Sequence, residues 1–514
     1  MISVLSQLRS SYPGSQLIAE GTTQGRARAQ AQALTLDDLA LRCDLFAEEF
    51  SRNKIKLLAL HADNSIDWLV IDLACQQAGI CLVPLPTFFS TEQLRHVFDS
   101  AAIDGLICEN PELFERMFNN SVEHHRVELP GNFGMDSFAF YRITPTANAD
   151  ALPPETGKIT FTSGSTGKPK GVCLSNQQLV RQAEALAETL SLTSPRHLCL
   201  LPLSTLLENV AGNYTPLFSG GHVVIPSLTE IGFEGSSSVN PTLFVGMIDR
   251  VKPNSIILTP QLLTLLVAVT NQGWKPPTSL TFVAVGGGKV STELLQRAQL
   301  VGIPVFEGYG LSECTSVVSL NTPNDYRHTS SGKPLSHLEL QIIDGEIVVS
   351  GNTMLGYLGQ PESWNKTSIH TGDNGYLDDA GYLHVNGRRK NLLISSYGRN
   401  INPEWVESEV LAEAAIAECV VFGDAQPYCC ALLSTRNPDT PDDTVQAAIN
   451  AANSRLPDYA RIASWCRFPR SLSSQKNLLT DNGRPKRDAI FYLYNDLIKR
   501  LYPDEIEEAV HGIF

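Results

Sequence analysis

Residues 162–171 are the stretch of this sequence whose residue types and spacing best suit the binding of phosphate. They spell Thr-Ser-Gly-Ser-Thr-Gly-Lys-Pro-Lys-Gly and follow the apolar residues Ile159 and Phe161. Glycines let the backbone turn tightly and bring N–H groups close to an anion, and Lys168 and Lys170 add positive charge. The stretch therefore predicts a loop that binds a polyphosphate, for which a nucleoside triphosphate is the natural ligand.

The spelling of this loop excludes two better-known phosphate-binding motifs. A Walker loop needs Ser or Thr after its Gly-Lys pair, but Pro169 follows Gly167 and Lys168 here. The dinucleotide fingerprint needs a third glycine, whereas the candidate at 308–313 ends in an acid. Ser165 and Lys168 fit the Ser-x-x-Lys pair of penicillin-binding hydrolases, yet the Lys-Thr-Gly string that accompanies it there is missing from the sequence. A flexible Gly/Ser linker is the remaining alternative.

The phosphate-loop string resembles that of the acyl-adenylate-forming superfamily, which includes acyl-CoA synthetases, luciferases and the adenylation domains of peptide synthetases. The resemblance covers the chain from about Leu36 to its C-terminus. Four further strings match in the family's order, namely Val285-Gly286-Gly287-Gly288, Gly308-Tyr309-Gly310-Leu311-Ser312-Glu313, Thr371-Gly372-Asp373 and Gly387-Arg388-Arg389-Lys390-Asn391. Among the family's members, the chain is most similar to fatty-acyl-CoA synthetases.

The resemblance implies an ATP site that contains magnesium. The phosphate loop would hold the β- and γ-phosphates with residues drawn from Thr162, Ser163, Gly164, Ser165, Thr166, Gly167, Lys168 and Lys170. The adenine ring would lie beside the glycine turn and the segment after it, that is Gly286, Gly287, Gly288, Gly308, Tyr309 and Gly310. Ser312 would contact the α-phosphate, and magnesium would be held by Glu313 and Thr166. The ribose hydroxyls would bind Asp373 with help from Arg388, since a carboxylate is a compact acceptor for a diol. The alternative is that both residues have only structural roles. Tyr309 would then pack in the core, and Asp373 would cap a turn.

Length and composition are those of a globular protein. The chain has 514 residues, of which 43% are hydrophobic and 18% are charged. This length exceeds one ordinary domain and is ample for a large core. A formal net charge of −15 argues against nucleic acid as the main partner.

The N-terminal sequence lacks the basic start and long apolar core of a secretion signal, and no apolar stretch is long enough to predict a membrane span. We therefore predict a cytoplasmic protein. Its eleven cysteines are scattered without a Cys-x-x-Cys pair, which predicts that most are buried, reduced and inert.

Strand and helix signals alternate along the first part of the chain, as in layered α/β domains. Residues 57–60, 65–79 and 81–85 predict one strand-helix-strand unit, and Ser175 predicts the cap of a helix that reaches residue 190. In an open parallel sheet, ligands bind beyond the carboxyl ends of the strands. We therefore expect one pocket to form from the loops at Thr162, Thr259, Gly286 and Gly308.

The second part of the chain predicts shorter strands and then a separate small domain. Strands at 338–343 and 346–349 flank a hairpin turn at Asp344-Gly345. The sequence places a domain boundary after residue 387, so that residues 1–387 form a large AMP-binding domain and residues 388–514 a small α+β domain. Within the latter we predict a strand at 391–395, a helix at 403–411 and a strand at 419–422. The resemblance implies that the small domain is mobile and that Lys390 is its hinge; the alternative is an ordinary surface lysine.

One departure from the family concerns the lysine that bridges the carboxylate and the α-phosphate. The matching C-terminal string carries Arg484 at that position, two residues before Lys486. Arginine keeps the charge but is bulkier and forked. Arg484 is the preferred candidate for this catalytic role and Lys486 is the alternative, while a third possibility is impaired adenylation.

A second departure lies at residues 201–209, which resemble a Leu-Pro-Leu-x-His-x-x-Glu segment of long-chain acyl-CoA synthetases. Thr205 holds the position of the histidine that often lines the acid pocket, and Glu208 retains the acidic position. Family members that activate amino acids carry an aspartate that binds the amine of the substrate. This sequence has no acidic residue at the positions where that aspartate is expected. The segment therefore favours a fatty or aryl acid over an amino acid.

Together these features predict an ATP-dependent carboxylic acid ligase with Lys170, Thr205, Glu313, Arg484 and Lys486 as candidate catalytic residues. The acid would form an acyl-adenylate and pyrophosphate, and a thiol would then take the acyl group, with coenzyme A the preferred acceptor. One alternative is a fatty-acyl-AMP ligase that delivers to the phosphopantetheine of an acyl carrier protein. Another is a nucleotide-binding homologue that has lost its catalytic activity. Oligomeric state stays open.

Overall fold

The chain divides into two compact units, the larger of which contains most of the N-terminal three quarters. The first unit comprises Met1–Gly287, Val301–Thr371 and Tyr376–His384, and the second comprises Gly288–Leu300, Gly372–Gly375 and Val385–Phe514. The computed structural model describes residues 2–22, 31–118, 123–127, 138–146, 152–162, 169–234, 238–397, 399–480 and 483–502. The predicted α/β class, with a large first domain and a smaller second one, is confirmed. The domain boundary at residue 387 stays a prediction.

The first unit contains, among its described residues, a nine-stranded sheet whose six central strands are parallel. Its edges are closed by antiparallel strands, two on one side and one on the other. In spatial order the strands are Lys333–Pro334, Ser316–Leu320, Val305–Leu311, Phe282–Val285, Ser255–Leu258, Arg196–Leu198, His222–Ile225, Leu17–Thr22 and Ala31–Thr35. Leu258, Val285 and Glu307 share one register, so Thr259 and Gly286 follow their strands at the level of Gly308, which lies within its own strand.

A second sheet of the same unit has eight strands within the described ranges, and four parallel strands form its centre. In spatial order its strands are Gly356–Tyr357, Lys170–Ser175, Thr156–Thr162, Cys81–Pro84, Leu57–His61, Gly105–Cys108, Ala139–Ile143 and His124–Val127. Buried aliphatic and aromatic side chains such as Val83, Leu106 and Phe114 cover one face of this sheet. The predicted strand-helix-strand unit is confirmed, since the strands Leu57–His61 and Cys81–Pro84 pair in parallel.

The expected pocket from the loops at Thr162, Thr259, Gly286 and Gly308 stays a prediction, and these positions are distributed over two sheets. Thr162 lies in the eight-stranded sheet, and its strand pairs antiparallel with Lys170–Ser175. The two strands are consecutive in the described chain, and on its other side the Thr162 strand pairs in parallel with Cys81–Pro84. A strand that continues directly into its neighbour through a short loop must run antiparallel to it, whereas parallel neighbours need a long crossover.

Helices of the first unit begin and end where the sequence provides caps. Ser65 Oγ accepts the N–H of Trp68, and Gly79 ends the same helix with a φ of +70°, a backbone conformation that favours glycine. Ser175 caps the next predicted helix, as expected. The described helices of this unit are Val4–Ser11, Leu36–Arg52, Ile66–Ala78, Thr91–Ser100, Pro111–Phe118, Asn176–Leu190, the π-helix Leu207–Tyr214, Thr215–Phe218, Leu228–Ile231, Pro241–Val251 and Pro260–Asn271.

Shorter strands complete the described part of the first unit. The predicted hairpin is confirmed: Glu339–Ile343 pairs antiparallel with Glu346–Ser350, and its turn residues Asp344 and Gly345 have φ angles of +49° and +77°. The strands Ser368–Leu377 and Leu383–Arg388 extend this sheet and run through the points where the chain passes from one unit to the other. Phe233–Glu234 and Ser238–Val239 form a separate two-stranded ladder.

The second unit is built on a three-stranded sheet among its described residues. Its strands are Ile416–Phe422, Cys429–Thr435 and Ile462–Arg467, and Leu393–Ile394 pairs with Asn400–Ile401 in a smaller ladder. The predicted strand at 391–395 is thus too long, because residues 389–391 form a 3₁₀ turn and Ser395 already bonds across the next turn to Arg399. The described helices are Thr292–Leu300, Pro403–Leu411, Asp442–Ser454, Arg487–Leu493 and Asn495–Lys499.

Most cysteine side chains are buried, and burial keeps their thiols protonated. Ten of the eleven are buried and Cys466 is partly buried, which confirms the prediction that most are buried. Burial raises the pKa of Cys173 to about 12 and that of Cys466 to about 11. Thiols with such pKa values stay protonated and unreactive at neutral pH. Among the described residues, no helix combines the length and apolar character needed to cross a bilayer.

A buried ion pair joins the centre of the eight-stranded sheet to two helices. Lys158 is 1% exposed and Asp72 fully buried, and Lys158 Nζ lies 2.8 Å from Asp72 Oδ1. From the π-helix, Asn209 Nδ2 donates to Asp72 Oδ2 at 2.9 Å and Tyr214 Oη donates to the same oxygen. Because hydrogen bonds accompany the charges, the pair is compatible with the core.

We expect Asp72→Ala to lower the free energy of unfolding by about 3–5 kcal/mol, since it leaves the Lys158 ammonium buried without its counter-charge. Urea unfolding followed by fluorescence measures the change. Glu112→Ala breaks the exposed Arg116–Glu112 pair and is the matched control, for which we expect no measurable shift. A similarly small shift for Asp72→Ala would contradict the importance of the buried pair.

Candidate active site

The ends of the phosphate loop are fixed by an antiparallel strand pair. Thr162 and Lys170 are opposite each other in the ladder, and Thr162 Oγ1 donates to the Lys170 carbonyl oxygen at 3.5 Å. His96 Nε2 donates to the carbonyl oxygen of Pro169 at 3.0 Å and so holds the end of the loop to a neighbouring helix. The predicted phosphate ligands Ser163, Gly164, Ser165, Thr166, Gly167 and Lys168 lie outside the described residues. The structure therefore positions the two flanking predicted ligands, Thr162 and Lys170.

Lys170 and Glu313 are brought together by one tyrosine. Tyr357 Oη donates to Glu313 Oε1 at 2.9 Å, and Lys170 Nζ lies 5.1 Å from the centre of the Tyr357 ring. All three side chains are partly buried. The backbone of Glu313 is fixed as well, because its carbonyl oxygen accepts the N–H of Met354 at 2.7 Å. A cation near the ring and a carboxylate at the hydroxyl thus share one aromatic residue, next to the end of the phosphate loop.

The predicted adenine segment lies at the ends of adjacent parallel strands. Gly286 follows Phe282–Val285, and a Cβ atom there would approach the Gly308 carbonyl oxygen to 3.3 Å, so the two segments are neighbours. The ladder of Val305–Leu311 is irregular between Tyr309 and Gly310. Such a bulge redirects side chains at the end of a strand. Gly310 is required there, because a Cβ would lie 1.7 Å from the Ser316 carbonyl oxygen.

Ser312 and Glu313 occupy one 3₁₀ turn immediately after this strand, from Ser312 to Cys314. Thr315 ends the turn with a φ of +56°, and its N–H donates to the Ser312 carbonyl oxygen at 3.1 Å. Gly287 has a φ of +77°, which suits a tight glycine turn before Gly288. The first unit therefore contains Gly286 and Tyr309 of the predicted adenine segments, Ser312 predicted for the α-phosphate and Glu313 predicted for the metal.

The second unit carries the residues predicted for the ribose. Arg388 Nε lies 2.9 Å from Asp373 Oδ1, and the Asp373 side chain is 8% exposed. A cleft of about 350 Å³ beside them is lined by Gly372, Arg388, Arg389 and Lys390. Desolvation, followed by the positive charge of Arg388, lowers the pKa of Lys390. The cleft is therefore cationic with one recessed carboxylate next to it.

Arg484 lies near this ribose pair, at the base of a short hairpin. A β-bridge between Leu479 and Pro485 closes the hairpin, and the Arg484 N–H donates to Thr480 Oγ1 at 3.0 Å. Arg484 is exposed to solvent at its surface. Nearby protein atoms, followed by the Arg388 charge, lower the pKa of its guanidinium, whereas Asp373 and Glu404 oppose them. Asp373, Arg388 and Arg484 are thus within electrostatic reach of one another.

Lys486, the alternative to Arg484, is placed by its backbone at the start of a helix. Its N–H donates to the Leu478 carbonyl oxygen at 2.8 Å, and the helix Arg487–Leu493 begins at the next residue. Arg487 is committed elsewhere, since its guanidinium donates to Glu407 Oε1 at 2.7 Å. The roles of Arg484 and Lys486 stay predictions.

Thr205 and Glu208 differ in environment. Thr205 Oγ1 donates to the Pro202 carbonyl oxygen at 2.6 Å, within the turn that precedes the π-helix. Glu208 is fully buried, and its Oε1 lies 3.1 Å from His197 Nε2. A Cβ on Gly212 would lie 2.6 Å from the same carboxylate oxygen. Glu208 is therefore packed in the core of the first unit, where it orients His197.

Sequence reasoning missed Tyr357 and His96. Tyr357 is separated from its partner Glu313 by 44 positions, and His96 is separated from Pro169 by 73. Local periodicity carries no information about such distant pairs. In the sequence, the signal near Tyr357 is the glycine directly before it, and the structure gives Gly356 a φ of +147°, a conformation that favours glycine.

The sequence of residues 19–358 matches the AMP-binding enzyme family, and residues 390–506 match the AMP-binding enzyme C-terminal domain. One relative is the 3-[(3aS,4S,7aS)-7a-methyl-1,5-dioxo-octahydro-1H-inden-4-yl]propanoyl:CoA ligase of Rhodococcus jostii, which is 29% identical over 76% of this chain and 81% of its own. The 2-succinylbenzoate–CoA ligase of Bacillus subtilis is 28% identical over 76% of this chain and 80% of its own.

Solved structures of other proteins have a fold similar to that of this chain. The anthranilate CoA ligase AuaEII, solved in complex with anthranoyl-AMP, superposes with a TM-score of 0.77 at 18% identity over 97% of this chain and 98% of that one. The predictions of a nucleotide-binding enzyme and of similarity to acyl-CoA synthetases are confirmed by these matches. The family match covers residues 19–358, which is more than half of the sequence. The chain therefore belongs to the AMP-binding enzyme family.

Proposed function

We propose that this protein is an ATP-dependent acid–thiol ligase. In the first step a carboxylate oxygen of the acid bonds to the α-phosphorus of ATP and pyrophosphate leaves, which gives an acyl-adenylate. In the second step a thiolate sulfur bonds to the acyl carbon and AMP leaves. Coenzyme A is the thiol that we propose, because the relatives described above are CoA ligases. An acyl carrier protein is the alternative acceptor.

The observation that carries this proposal is the grouping of Lys170, Tyr357 and Glu313 beside the phosphate loop. Phosphoryl transfer needs positive charge around the phosphate oxygens and a carboxylate for the metal. Lys170 supplies the charge at one end of the loop, and Glu313 supplies the carboxylate on a turn with a fixed backbone.

The carboxylate of Glu313 is a suitable ligand for magnesium. Hard cations take carboxylate and hydroxyl oxygens, and Glu313 offers a half-buried carboxylate that one hydrogen bond orients. We propose Glu313 and Thr166 as its protein ligands. When bound, magnesium would neutralise charge that develops on the phosphate oxygens during transfer.

The other residues of the proposed nucleotide site follow from the family resemblance. Ser312 would contact the α-phosphate, and Tyr309 with its flanking glycines would bind the adenine. Asp373 would accept the ribose hydroxyls while Arg388, 2.9 Å away, holds its carboxylate in place. Arg484 would neutralise the substrate carboxylate and α-phosphate as they approach, because like charges otherwise repel.

For the acid we propose an aryl or other ring-bearing carboxylic acid, with a long aliphatic acid as the alternative. The names of the relatives above specify a fused-ring propanoate and a succinylbenzoate. In this chain, Thr205 replaces the histidine of the fatty-acyl segment, and its hydroxyl is bonded to the Pro202 carbonyl oxygen. We propose that this smaller side chain, whose hydroxyl is already bonded, suits a ring better than a histidine would.

The decisive test is acid-dependent exchange of labelled pyrophosphate into ATP without any thiol. The acids should include succinylbenzoate, anthranilate, fatty acids of increasing length and amino acids. We expect exchange with ring-bearing acids, and subsequent addition of coenzyme A should yield the thioester. Thioester formation on a carrier protein alone would overturn the choice of acceptor, and no exchange with any acid while ATP binds would overturn the ligase proposal.

We expect Lys390→Pro to slow acyl transfer to the thiol about tenfold or more while adenylation is retained, because proline fixes φ and removes the N–H at the proposed hinge. Single-turnover measurements separate the two half-reactions. Lys366→Pro, at an exposed loop lysine, is the matched control. Equal losses in both half-reactions would contradict the hinge assignment.

A further inference from the structure

Tyr357 is held by its backbone in a two-residue strand at the edge of the eight-stranded sheet. It lies opposite Val172 in the ladder, and the N–H of Leu358 donates to the Gly171 carbonyl oxygen at 2.8 Å. Its own carbonyl oxygen accepts Nε1–H of Trp364 at 2.9 Å. The tyrosine is therefore anchored to the strand that begins at Lys170, the residue that closes the phosphate loop.

The side chain of Tyr357 extends this anchorage to the turn that follows the adenine segment. Its hydroxyl donates to Glu313 Oε1 at 2.9 Å, and the ammonium of Lys170 lies 5.1 Å from its ring centre. Glu313 is on a turn next to the nine-stranded sheet, whereas Lys170 belongs to the eight-stranded sheet. Tyr357 thus links residues of two different sheets of the same unit.

We propose that Tyr357 is a positioning residue that sets the magnesium carboxylate and the phosphate-loop lysine in a fixed relation to each other. This inference rests on the proposed function of the site and adds a residue to it. Tyr357 itself contacts neither metal nor phosphate in this role. It acts through Glu313 by a hydrogen bond and through Lys170 by the attraction between a cation and an aromatic face.

The physical basis is the flexibility of both charged side chains. Glutamate and lysine lose rotamer freedom when they are held in one geometry, and the cost is lower when a rigid neighbour already restrains them. A hydroxyl that occupies one oxygen of Glu313 restrains the carboxylate and leaves the other oxygen for a cation. The aromatic face restrains Lys170 without neutralising its charge.

Tyr357→Phe removes the hydroxyl and keeps the ring. We expect the Mg²⁺ concentration that gives half-maximal ATP binding to rise about tenfold, in line with the loss of a hydrogen bond to a charged group. Calorimetric titration with ATP at a series of Mg²⁺ concentrations measures this without any acid. Acid-dependent pyrophosphate exchange should show the same shift, with its maximal rate restored at saturating Mg²⁺.

Tyr357→Leu removes the ring as well. We expect a further loss of ATP affinity of about three- to fivefold at saturating Mg²⁺, because Lys170 loses its aromatic contact. Tyr141→Phe is the matched control, since Tyr141 Oη donates to Glu115 Oε1 at 2.6 Å in the same unit, on a strand several positions away in the sheet. It should bind ATP with the wild-type Mg²⁺ dependence.

An unchanged Mg²⁺ curve for Tyr357→Phe would overturn the inference, as would a loss of ATP binding that Mg²⁺ does not restore. A wild-type protein that binds MgATP but shows no exchange would overturn the proposed ligase function alone. In that case the Mg²⁺ dependence of ATP binding still decides whether Tyr357 positions the site.

Discussion

Glu313→Gln is expected to lower the maximal rate of acid-dependent pyrophosphate exchange about a thousandfold, because a metal that neutralises phosphate charge contributes several kcal/mol to the transition state. The substitution keeps the size of the side chain and an oxygen that can accept from Tyr357. It removes the negative charge that we propose as the ligand of magnesium. The loss should therefore exceed that of Tyr357→Phe, and high Mg²⁺ should restore little of it.

Two measurements make this result specific. Thermal unfolding of Glu313→Gln should match the wild type, since the Met354 N–H bonds to the backbone of Glu313 and not to its side chain. Glu339→Gln, at an exposed strand position of the same unit, should leave exchange unchanged. Exchange by Glu313→Gln within a few-fold of the wild type would contradict the metal assignment and with it the proposed role of the grouping around Tyr357.

Arg484→Ala is expected to lower adenylation about a hundredfold or more, since it removes the positive charge proposed to lie between the substrate carboxylate and the α-phosphate. Transfer from a supplied acyl-adenylate to the thiol should be affected far less. Arg484→Lys should retain adenylation within a few-fold or raise it, because an ammonium at this position keeps the charge. Pyrophosphate exchange measures the first step and thioester formation from synthetic acyl-adenylate measures the second.

Lys486→Ala is the comparison that decides between the two cations. The structure brings Arg484 within electrostatic reach of Asp373 and Arg388, whereas the backbone of Lys486 begins a helix. We therefore expect Lys486→Ala to retain most of the exchange activity. If Lys486→Ala is inactive and Arg484→Ala is not, Lys486 carries the bridging role.

Local signals in the sequence were sufficient for much of the framework. Ser65 and Gly79 delimit a helix because a hydroxyl cap and a left-handed glycine act within one turn of the residues they terminate. The hairpin at Asp344 and Gly345 follows from the two turn residues alone. The order of the motifs likewise predicted the family. The expectation that the segments at Gly286 and Gly308 are neighbours agrees with their approach in the structure.

The tertiary structure decided how these elements meet. The sheet that contains Thr162, the bond from His96 to the end of the phosphate loop and the bridge from Tyr357 to Glu313 all join residues that are far apart in the chain or in different sheets. Periodicity, caps and turn residues act over a few positions and therefore determine which elements form. Pairing between distant strands and contacts between side chains depend on the packing of the whole unit, so the relation between Lys170 and Glu313 became visible only in the folded protein.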